Sequence, residues 1–371
     1  MKLALDVSAV PAQVAGAGRY IVELARRLPE RGVATTLVTR RDDAERWAAW
    51  SPQAQRAPLA PSARMARLVS EAYLLGASAT ARESDLWHAP HYTMPRRRSG
   101  PCVVTIHDLT FFTNPEWHER SKVAFFRRAI NYSAQHARAL LCVSAFSAQL
   151  LEEILPAHAP VFVAPLGVEL DTFQPDPSRD AALFESRALP RSVPYLFFVG
   201  TVEPRKGLDV LLGAFAELAA ETDDVELWLA GQAGWGTGPI EHQIATHPFA
   251  TRIRRLGFVD DAVLPALYRQ ARAVAYPSRG EGFGLPVLEA MACGAMVVTT
   301  AGTVMAEVAA GAASLVPIGD AGALAKALAE ALGATDDERA ARARRARRRA
   351  ETFTWDACLD QHLVAYEQAL S

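Results

Sequence analysis

The segment that most restricts the fold of this chain reads as strand, loop, helix and strand. Its central part, SRGEGFGLPVLEAMACG at residues 278–294, follows the apolar run ARAVAYP and precedes the apolar run AMVVTT. Pro286 suits the first position of a helix, and Gly294 suits the residue just past its end. Strands that alternate with helices at this spacing predict a parallel sheet covered on both faces.

Two carboxylates surround the start of that predicted helix. Glu281 lies in the glycine-rich loop, and Glu289 lies about one turn inside the helix. Gly280, Gly282 and Gly284 let the loop backbone adopt conformations closed to other residues and approach a ligand closely. A helix N-terminus adds unpaired amides and the positive end of the helix dipole. We therefore expect a site for phosphate groups that have hydroxyl groups beside them.

The alternation of strands and helices runs through the chain in two blocks. A stretch rich in proline and charge, residues 174–194, separates them and predicts a linker. Residues from about 42 to 80 are rich in alanine and arginine and predict helix without clear bounds. We predict an α/β fold of two doubly wound domains, over residues 1–175 and 190–350, followed by a helix over 352–371. Ligands of such sheets bind at the carboxyl ends of the strands.

Composition limits the classes of partner and compartment. The 371 residues carry a net charge of -2 and half are apolar, a balance that gives no indication of nucleic-acid binding. The four cysteines lack metal-type spacing and predict a reduced, cytoplasmic protein. The start, MKLALDVSAV, has no apolar signal core, and no run reaches the ~18 apolar residues of a membrane span. Attachment to a membrane surface stays open.

The arginine-rich run at residues 336–351 has two interpretations. Its acids lead and its arginines trail, the order that a helix dipole prefers. We therefore favour a solvated surface helix over a contact with anionic lipid.

His107 is the first candidate for chemistry in the N-terminal block. It ends the apolar strand VVTIHDL, at the position where doubly wound sheets hold their active sites, and Asp108 follows it. A lone histidine there can also be satisfied by backbone groups alone. His88 and His91 follow another strand, but no third ligand accompanies them, so a metal site is disfavoured.

The motif GAGRY is a second candidate. Gly16 and Gly18 have the first spacing of a dinucleotide fingerprint, but Ile21 replaces the third glycine, so a nicotinamide or flavin site is disfavoured. Glycines before a helix N-terminus still allow a sugar diphosphate to approach backbone amides, with Arg19 as a cation. A plain turn is the alternative.

The second block opens with a strand followed by VEPRKG. Arg205 and Lys206 lie at the carboxyl end of this strand, and Gly207 opens a helix. Two adjacent cations beside helix amides would neutralise a diphosphate leaving group.

Together these residues resemble a known enzyme family. The segments VGTVEPRKGLDVLLGAF, LGFVDDAVLPALYRQARAVAYPSRGEGFGLPVLEAMACG, GAGRY, IHDLTF and VSAFSAQLL are similar to the retaining glycosyltransferases of group 1, or family 4, which have the GT-B fold. The resemblance covers nearly the whole chain and is weakest over residues 42–84. It implies two Rossmann-like domains facing a central cleft, with the C-terminal helix packed back on the first domain.

The resemblance also implies a role for each candidate residue. Glu281 would contact the donor sugar and Glu289 the ribose hydroxyls. Arg205 and Lys206 would meet the diphosphate, and His107 would touch the donor sugar and phosphate. The residues implied in donor binding besides these are Gly16, Gly18 and Arg19 in the first domain and Val259, Phe283, Gly284 and Leu285 in the second.

One departure from the family pattern narrows the branch. Many members have arginine directly after the glycine of the first strand in the second domain, where this chain has Thr201. The form GTVEPRKG is similar instead to mannosyltransferases and related hexosyltransferases of surface polysaccharide assembly. This resemblance implies GDP-mannose as the first choice of donor and a UDP-hexose as the second.

These observations predict a retaining hexosyltransferase that extends a glycan or lipid-linked acceptor. The nucleoside diphosphate would leave through an oxocarbenium-like state, with its charge stabilised by cations and helix amides. No cofactor and no metal ion are expected, since no DxD-type pair ends a strand. The alternatives are transfer to a small soluble acceptor and a non-catalytic protein that binds nucleotide sugars.

The first block is also rich in arginine and lysine. Such charge predicts possible peripheral contact with an anionic membrane surface on the cytoplasmic side. The cations concerned are Arg26, Arg27, Arg31, Arg96, Arg97, Arg98, Lys122, Arg127 and Arg128.

Overall fold

The chain forms two compact units. The structure is a computed structural model that describes residues 1–12, 14, 16–190, 193–232, 234 and 237–371. Unit 1 combines Met1–Gly167 with Trp355–Ser371, and unit 2 is Val168–Thr354. Each unit has its own parallel sheet and its own buried core.

Unit 1 is built on a seven-stranded parallel sheet in the order β3-β2-β1-β4-β5-β6-β7. Strands β4, β5 and β6 are buried at every position, which is typical of parallel strands covered by helices on both faces. Its strands are β1 Lys2–Asp6, β2 Ala34–Arg40, β3 Gln55–Ala60, β4 Leu86–Ala89, β5 Cys102–Ile106, β6 Ala139–Cys142 and β7 Val161–Val163.

Eight α-helices belong to unit 1 within the described residues. They are α1 Ala17–Glu30, α2 Ala44–Trp50, α3 Arg64–Tyr73, α4 Ala79–Glu83, α5 Thr110–Thr113, α6 Arg120–His136, α7 Ala145–Ile154 and α16 Trp355–Leu370. The C-terminal helix α16 packs on α1 and on strands β4 to β7. The last helix of the chain therefore packs on the sheet of the first unit.

Unit 2 is built on a six-stranded parallel sheet in the order β10-β9-β8-β11-β12-β13. Its strands are β8 Tyr195–Val199, β9 Glu226–Ala230, β10 Ile253–Gly257, β11 Ala273–Tyr276, β12 Val297–Thr300 and β13 Ser314–Val316. Its helices are α8 Asp180–Ser186, α9 Leu208–Glu221, α10 Gly238–Ala245, α11 Leu264–Gln270, α12 Leu285–Ala292, α13 Val304–Ala309, α14 Ala321–Leu332 and α15 Asp336–Ala350. The prediction of two doubly wound α/β domains is confirmed.

The strand orders locate a crevice in each unit. In unit 1 the order reverses between β1 and β4, and in unit 2 it reverses between β8 and β11. Loops that leave neighbouring strands at such a reversal run to opposite faces of the sheet and leave a space between them. The loops after these four strands carry or adjoin most of the residues singled out from the sequence.

Two regions differ from the sequence-based expectation. The segment 42–80 contains the edge strand β3 as well as helices. The sequence did not predict this strand, because it is partly exposed and gives no long apolar run. The segment predicted as a linker contains helix α8. The buried Asp180 of this helix accepts hydrogen bonds from the Arg269 guanidinium of α11. A buried ion pair docks this helix on unit 2. Residues 191 and 192 of the segment lie outside the described residues.

Helix α15, which carries the arginine-rich run, is more than a solvated helix. Thr335 and Glu338 form a capping box at its start. Arg339, Arg347 and Arg349 donate hydrogen bonds to backbone oxygens in the last turns of α14, α12 and α13, respectively. Carbonyls at a helix C-terminus lack intrahelical partners, so these cations cap three neighbouring helices. Among the described residues, no helix combines the length and apolarity that a membrane crossing requires.

Candidate functional site

The carboxyl edge of the unit 2 sheet brings two loops into contact. After β8 the chain forms a 3-10 turn at Pro204–Lys206, and Gly207 follows with φ 69°. A Cβ atom on Gly207 would lie 2.0 Å from the carbonyl oxygen of Pro277, in the loop after β11. Only glycine permits this approach, which is possible because β8 and β11 are neighbours in the sheet.

Glu281 is the centre of this contact. Its Oε2 accepts a hydrogen bond from Arg205 Nη1 at 2.6 Å, and its Oε1 accepts one from Lys206 Nζ at 2.5 Å. Tyr276 and Ser278 donate their hydroxyls to the same Oε1, at 3.0 and 2.9 Å. Three residues that the sequence assigned to one site therefore meet directly, and the carboxylate that was predicted to face the sugar is paired with both cations.

Burial makes this group electrostatically strong. The Lys206 side chain is 10% exposed, as is that of Glu281. Burial alone would raise the pKa of Glu281, but the charges of Arg205 and Lys206 outweigh it and hold that pKa at about 2. Burial lowers the pKa of Lys206 from its usual value, and the Glu281 charge opposes that shift. Arg205 also binds Glu203 at 2.9 Å, so both cations lie beside carboxylates at the end of β8.

A second ion pair fixes the two loops. Arg279 binds Asp209 of α9 through both guanidinium nitrogens, at 2.8 and 2.6 Å, and also donates to the Pro204 carbonyl at 2.7 Å. The Arg279 amide donates to the Arg205 carbonyl at 2.8 Å. Sequence reasoning missed this pair, although the position of Arg279, two residues before Glu281, was a signal.

Helix α12 begins one residue before its predicted start at Pro286. Gly284 is its N-cap with φ 104°, and a Cβ atom there would lie 2.4 Å from Met305 Cε. Of the three loop glycines, all described, Gly284 is the one with positive φ. Pro286 occupies the second helical position, one later than predicted, because Leu285 is already helical. Pro286 has no amide proton, and the Val287 amide donates to the Gly284 carbonyl at 3.0 Å. An anion at this end of α12 would therefore meet the amides at and before Leu285.

Glu289 lies on the inner side of α12. It is 5% exposed, and its Oε2 accepts a hydrogen bond from the Tyr268 hydroxyl of α11 at 3.0 Å. Phe283 and Leu285 are buried at the start of α12. Nothing in the sequence pointed to Tyr268, because its apolar neighbours made it part of a helix core.

Val259 lies in the loop after β10, two strands away from β8. It is partly exposed, and Phe258 before it is 56% exposed. The loop is held by Asp260, whose Oδ1 caps the Ala262 amide at 3.1 Å and whose Oδ2 binds Arg187 at 2.6 Å. Val259 is thus at a strand end on the same edge of the sheet.

His107 belongs to unit 1, directly after β5. Its Nε2 lies 2.8 Å from the Pro90 carbonyl oxygen, which can only accept, so Nε2 carries the proton. Burial lowers the pKa of His107, so the ring is neutral and Nδ1 is an acceptor. Asp108 does not bind this ring in the contacts that the structure gives; its carboxylate accepts from Tyr92 and Thr110 instead.

The GAGRY motif opens helix α1. Gly16 is the N-cap with φ 50°, while Gly18 is buried and Arg19 is partly exposed in the first helical turn. His88 cannot serve as a metal ligand here, since both ring nitrogens are within hydrogen-bond distance of hydroxyls. No group of three or more metal-binding side chains occurs in the part of the chain that the structure describes.

A carboxyl pair that the sequence did not indicate lies at the end of β1. The Ser8 hydroxyl donates to Glu71 of α3 at 3.1 Å, and the Ser8 amide donates to Asp6 at 3.0 Å. Arg67 Nε lies 3.2 Å from Glu71. Burial and the Asp6 charge raise the pKa of Glu71 to about 8. The pair was hidden because α3 lies where no element could be assigned.

Comparisons with known proteins agree with this fold. The profile described as Glycosyl transferases group 1 matches residues 193–334, and that described as Glycosyltransferase Family 4 matches residues 14–172. The O-antigen chain mannosyltransferase B of Escherichia coli is 32% identical over 285 residues, which cover 76% of this chain and 74% of that protein. A D-inositol 3-phosphate glycosyltransferase of Kineococcus radiotolerans is 30% identical over 402 residues, covering 96% of this chain and 91% of that protein.

Solved structures share the same fold. The Anabaena protein Alr3699/HepE, solved in complex with UDP-glucose, superposes with a TM-score of 0.78 over 99% of both chains at 21% identity. The two parallel sheets and this likeness define a protein of GT-B fold. The chain belongs to the glycosyl transferases of group 1, family 4, and has mannosyltransferase relatives.

Proposed function

We propose that this protein is a retaining hexosyltransferase that transfers mannose from GDP-mannose to a hydroxyl of a glycan or lipid-linked acceptor. The observation that carries the proposal is the group of Arg205, Lys206 and Glu281 at the carboxyl edge of the unit 2 sheet, beside the N-terminus of α12. Its mannosyltransferase relative supports the sugar, and the UDP-glucose complex of its structural relative supports a nucleotide sugar as donor.

The chemistry follows from the charges. The bond between the anomeric carbon and the diphosphate oxygen breaks, and its electron pair leaves with the nucleoside diphosphate. Arg205, Lys206 and the first amides of α12 stabilise the negative charge that develops there; removal of one such donor typically costs about 3–4 kcal/mol of the barrier. The acceptor oxygen joins the anomeric carbon on the same face, and its proton passes to the departing phosphate. Fixed cations supply this stabilisation, so we propose that no metal ion is needed.

The donor-side roles can be tested by substitution. Arg205→Ala and Lys206→Ala should each lower release of GDP from GDP-mannose by at least about a hundredfold, in line with the loss of an oxyanion donor. Lys326→Ala, which removes an exposed cation of α14 in the same unit, is the matched control. Circular dichroism checks that each variant is folded. Unchanged turnover would remove that residue from the site.

Base, stereochemistry and metal independence need separate measurements. Calorimetric titration with GDP and UDP identifies the base of the donor. Tighter binding of UDP than of GDP would contradict the assignment of GDP-mannose as the donor. The anomeric coupling of the product, read by NMR, should show the donor configuration retained. Activity should survive EDTA, and its loss and recovery with Mg²⁺ would contradict the proposed metal-free mechanism.

A small soluble acceptor is the second candidate, favoured by the inositol phosphate glycosyltransferase that aligns with 96% of the chain. A direct comparison of acceptors separates the two. Transfer to a bacterial lipid extract and not to D-inositol 3-phosphate or free mannosides supports the lipid-linked acceptor, and the reverse supports the soluble one. A non-catalytic protein would bind GDP or UDP and release nothing from any nucleotide sugar.

We also propose that unit 1 contacts an anionic membrane surface. Several of the cations named from the sequence are engaged elsewhere: Arg26 with Glu23, and Arg31 with Asp356 and Asp360. Arg96 and Arg97 are exposed, and the Arg96 amide binds the Ala72 carbonyl at the end of α3. The exposed face of α3 and the residue after it is apolar, with Met65, Val69, Tyr73 and Leu74 between 48% and 72% exposed.

An apolar strip beside cations suits insertion among anionic headgroups. The wild-type protein should float with vesicles that contain phosphatidylglycerol and should detach as salt rises. Val69→Asp combined with Leu74→Asp should abolish flotation, while Val364→Asp, at an apolar position of α16 that is 48% exposed, should not. Equal flotation of all three proteins would contradict this contact.

A further inference from the structure

Five fully buried polar side chains form a continuous chain of hydrogen bonds through unit 1. Tyr20 of α1 lies 2.7 Å from both Thr105 of β5 and His362 of α16. Thr105 lies 2.9 Å from His88 Nε2, and His88 Nδ1 lies 2.8 Å from the Tyr366 hydroxyl. Each of the five is at most 1% exposed. A chain of this kind connects two helices and two strands that are far apart in sequence.

The direction of every bond in this chain is determined. His362 Nδ1 lies 2.7 Å from the carbonyl oxygen of Cys358, which can only accept, so Nδ1 carries the proton and Nε2 accepts. The Tyr20 hydroxyl must then donate to His362, and its oxygen accepts from Thr105. The Thr105 proton is now used, so His88 Nε2 donates to Thr105 and His88 Nδ1 accepts from Tyr366.

Both histidines in the chain are neutral. Burial lowers the pKa of His362 to about 4 and places the pKa of His88 well below its usual value. Every donor and acceptor position named above is then satisfied by a single arrangement. A fully satisfied buried network specifies one geometry, whereas the loss of one member leaves a buried group unpaired.

This chain of hydrogen bonds also lies next to His107. The Tyr20 ring stands edge-on to the His107 ring, with centroids 5.3 Å apart and planes at 83°. On another side, the Pro90 carbonyl that accepts from His107 Nε2 lies two residues after His88. Two members of the hydrogen-bond chain therefore influence the orientation of His107. Tyr20 packs against its ring, and His88 lies two residues before the Pro90 carbonyl that accepts its proton.

We propose that Tyr366 and His362, on the C-terminal helix, are positioning residues that fix the orientation and tautomer of His107 through Tyr20 and His88. The functional part of this inference rests on the proposed transfer reaction and on the role in it that the family resemblance implies for His107. The structural part concerns tautomers and does not depend on that reaction.

The tautomers can be read from ring nitrogen NMR on protein labelled with ¹⁵N-histidine. At pH 7 we expect His88 and His107 to carry the proton on Nε2 and His362 to carry it on Nδ1. Tyr366→Phe, which removes the donor to His88, should change the ring nitrogen signals of His107 as well as those of His88. Tyr195→Phe is the control, because the Tyr195 hydroxyl makes a comparable buried bond to Leu267 in unit 2. The proposal would be overturned by a proton on Nε2 of His362, or by ring nitrogen signals of His107 that are unchanged in Tyr366→Phe.

A double-mutant cycle tests the functional part. In wild-type protein, Tyr366→Phe should lower kcat for GDP release from GDP-mannose by about 5–30-fold, the effect of ~1–2 kcal/mol, with the donor KM within about twofold. In a His107→Ala background the same substitution should change kcat by less than about twofold, because its effect passes through His107. Equal losses in both backgrounds would show a merely structural role. If wild-type protein releases nucleotide from no nucleotide sugar, the proposed function fails, and the tautomers still decide the inference.

Discussion

Substitution of Glu281 by glutamine should destabilise unit 2 through the charge that it leaves behind. In the wild-type protein this carboxylate neutralises Lys206 and Arg205 from distances of 2.5 and 2.6 Å. Arg205 keeps its second carboxylate partner, Glu203, at 2.9 Å. The Lys206 side chain is 10% exposed, so its ammonium becomes a buried cation that has lost its carboxylate. The glutamine side chain retains the shape, and its oxygen can still accept hydrogen bonds. Its NH2 group replaces one of the two acceptor oxygens, so the change removes the charge together with one acceptor.

The size of the effect follows from the burial. Removal of one partner of a buried ion pair costs about 3–5 kcal/mol. For a unit of this size that corresponds to roughly 6–20 °C in Tm, since 1 kcal/mol shifts Tm by about 2–4 °C. Lys206→Met in the Glu281→Gln background should then raise stability, because it replaces an unbalanced buried cation by an apolar side chain of similar length. Replacement of buried ion pairs by apolar groups is neutral or stabilising by about 1–4 kcal/mol.

The assay combines calorimetry with hydrogen exchange read by mass spectrometry. Calorimetry gives the Tm of the wild type, the two single variants and the double variant, and exchange in peptides from β8 and α12 localises the change to unit 2. Glu330→Gln, an exposed carboxylate of α14, is the control and should leave Tm unchanged. The reasoning is refuted if Glu281→Gln changes stability by less than about 1 kcal/mol, or if the double variant is less stable than Glu281→Gln alone.

Three further results are expected. Tyr268→Phe removes the 3.0 Å donor to Glu289 and should weaken GDP binding by about 2–12-fold, the effect of a ~0.5–1.5 kcal/mol hydrogen bond, as measured by calorimetric titration; unchanged affinity would remove Glu289 from the ribose site. Gly284→Ala forces a side chain into φ 104°, with its Cβ 2.4 Å from the methionine methyl of α13, and should cost about 1–3 kcal/mol in urea unfolding, whereas Gly238→Ala meets open space and should be neutral or stabilising. Glu71, with its pKa raised to about 8, binds a proton in the folded state that the unfolded state releases above about pH 4.5, so stability should fall as pH rises from 5 to 8. Glu71→Gln should flatten this dependence; the same slope in both proteins would show that Glu71 titrates normally.

The sequence predicted the fold because most of its strands are short apolar runs that alternate with helices along the chain. It also predicted Arg205, Lys206 and Glu281 as members of one site, since loops at the carboxyl ends of parallel strands share an edge. What it did not contain is the order of the strands. Because β8 and β11 are neighbours, residues 75 and 76 positions apart meet at hydrogen-bond distance. Sequence reasoning therefore assigned the cations and the carboxylate to different parts of a ligand and missed that they bind each other.

Other parts of the site were hidden for a different physical reason. Tyr268, His362 and Tyr366 lie on amphipathic helices, where an aromatic or histidine side chain has the same pattern as a core residue. The role of their polar atoms becomes visible only through the partner to which each one hydrogen-bonds. Those partners come from distant segments: His88 is 278 positions away from Tyr366. Periodicity predicts that such side chains are buried, and only the tertiary structure shows what they bond to.

The ion pairs of Glu281 also connect the two roles proposed for this loop. A diphosphate at the start of α12 would compete with the carboxylate for Arg205 and Lys206, since both are strong acceptors for the same donors. Ser278 would keep Glu281 in place, because its hydroxyl donates to Oε1 at 2.9 Å. The Tyr276 hydroxyl also donates to Oε1, and it accepts a hydrogen bond from Lys206 Nζ at 2.8 Å. Release of Arg205 from Oε2 would then open a fixed acceptor toward a sugar hydroxyl at the same moment that the phosphate is neutralised. In the proposed reaction, donor binding and sugar orientation would thereby be coupled through one carboxylate, a coupling that a neutral side chain at position 281 could not provide.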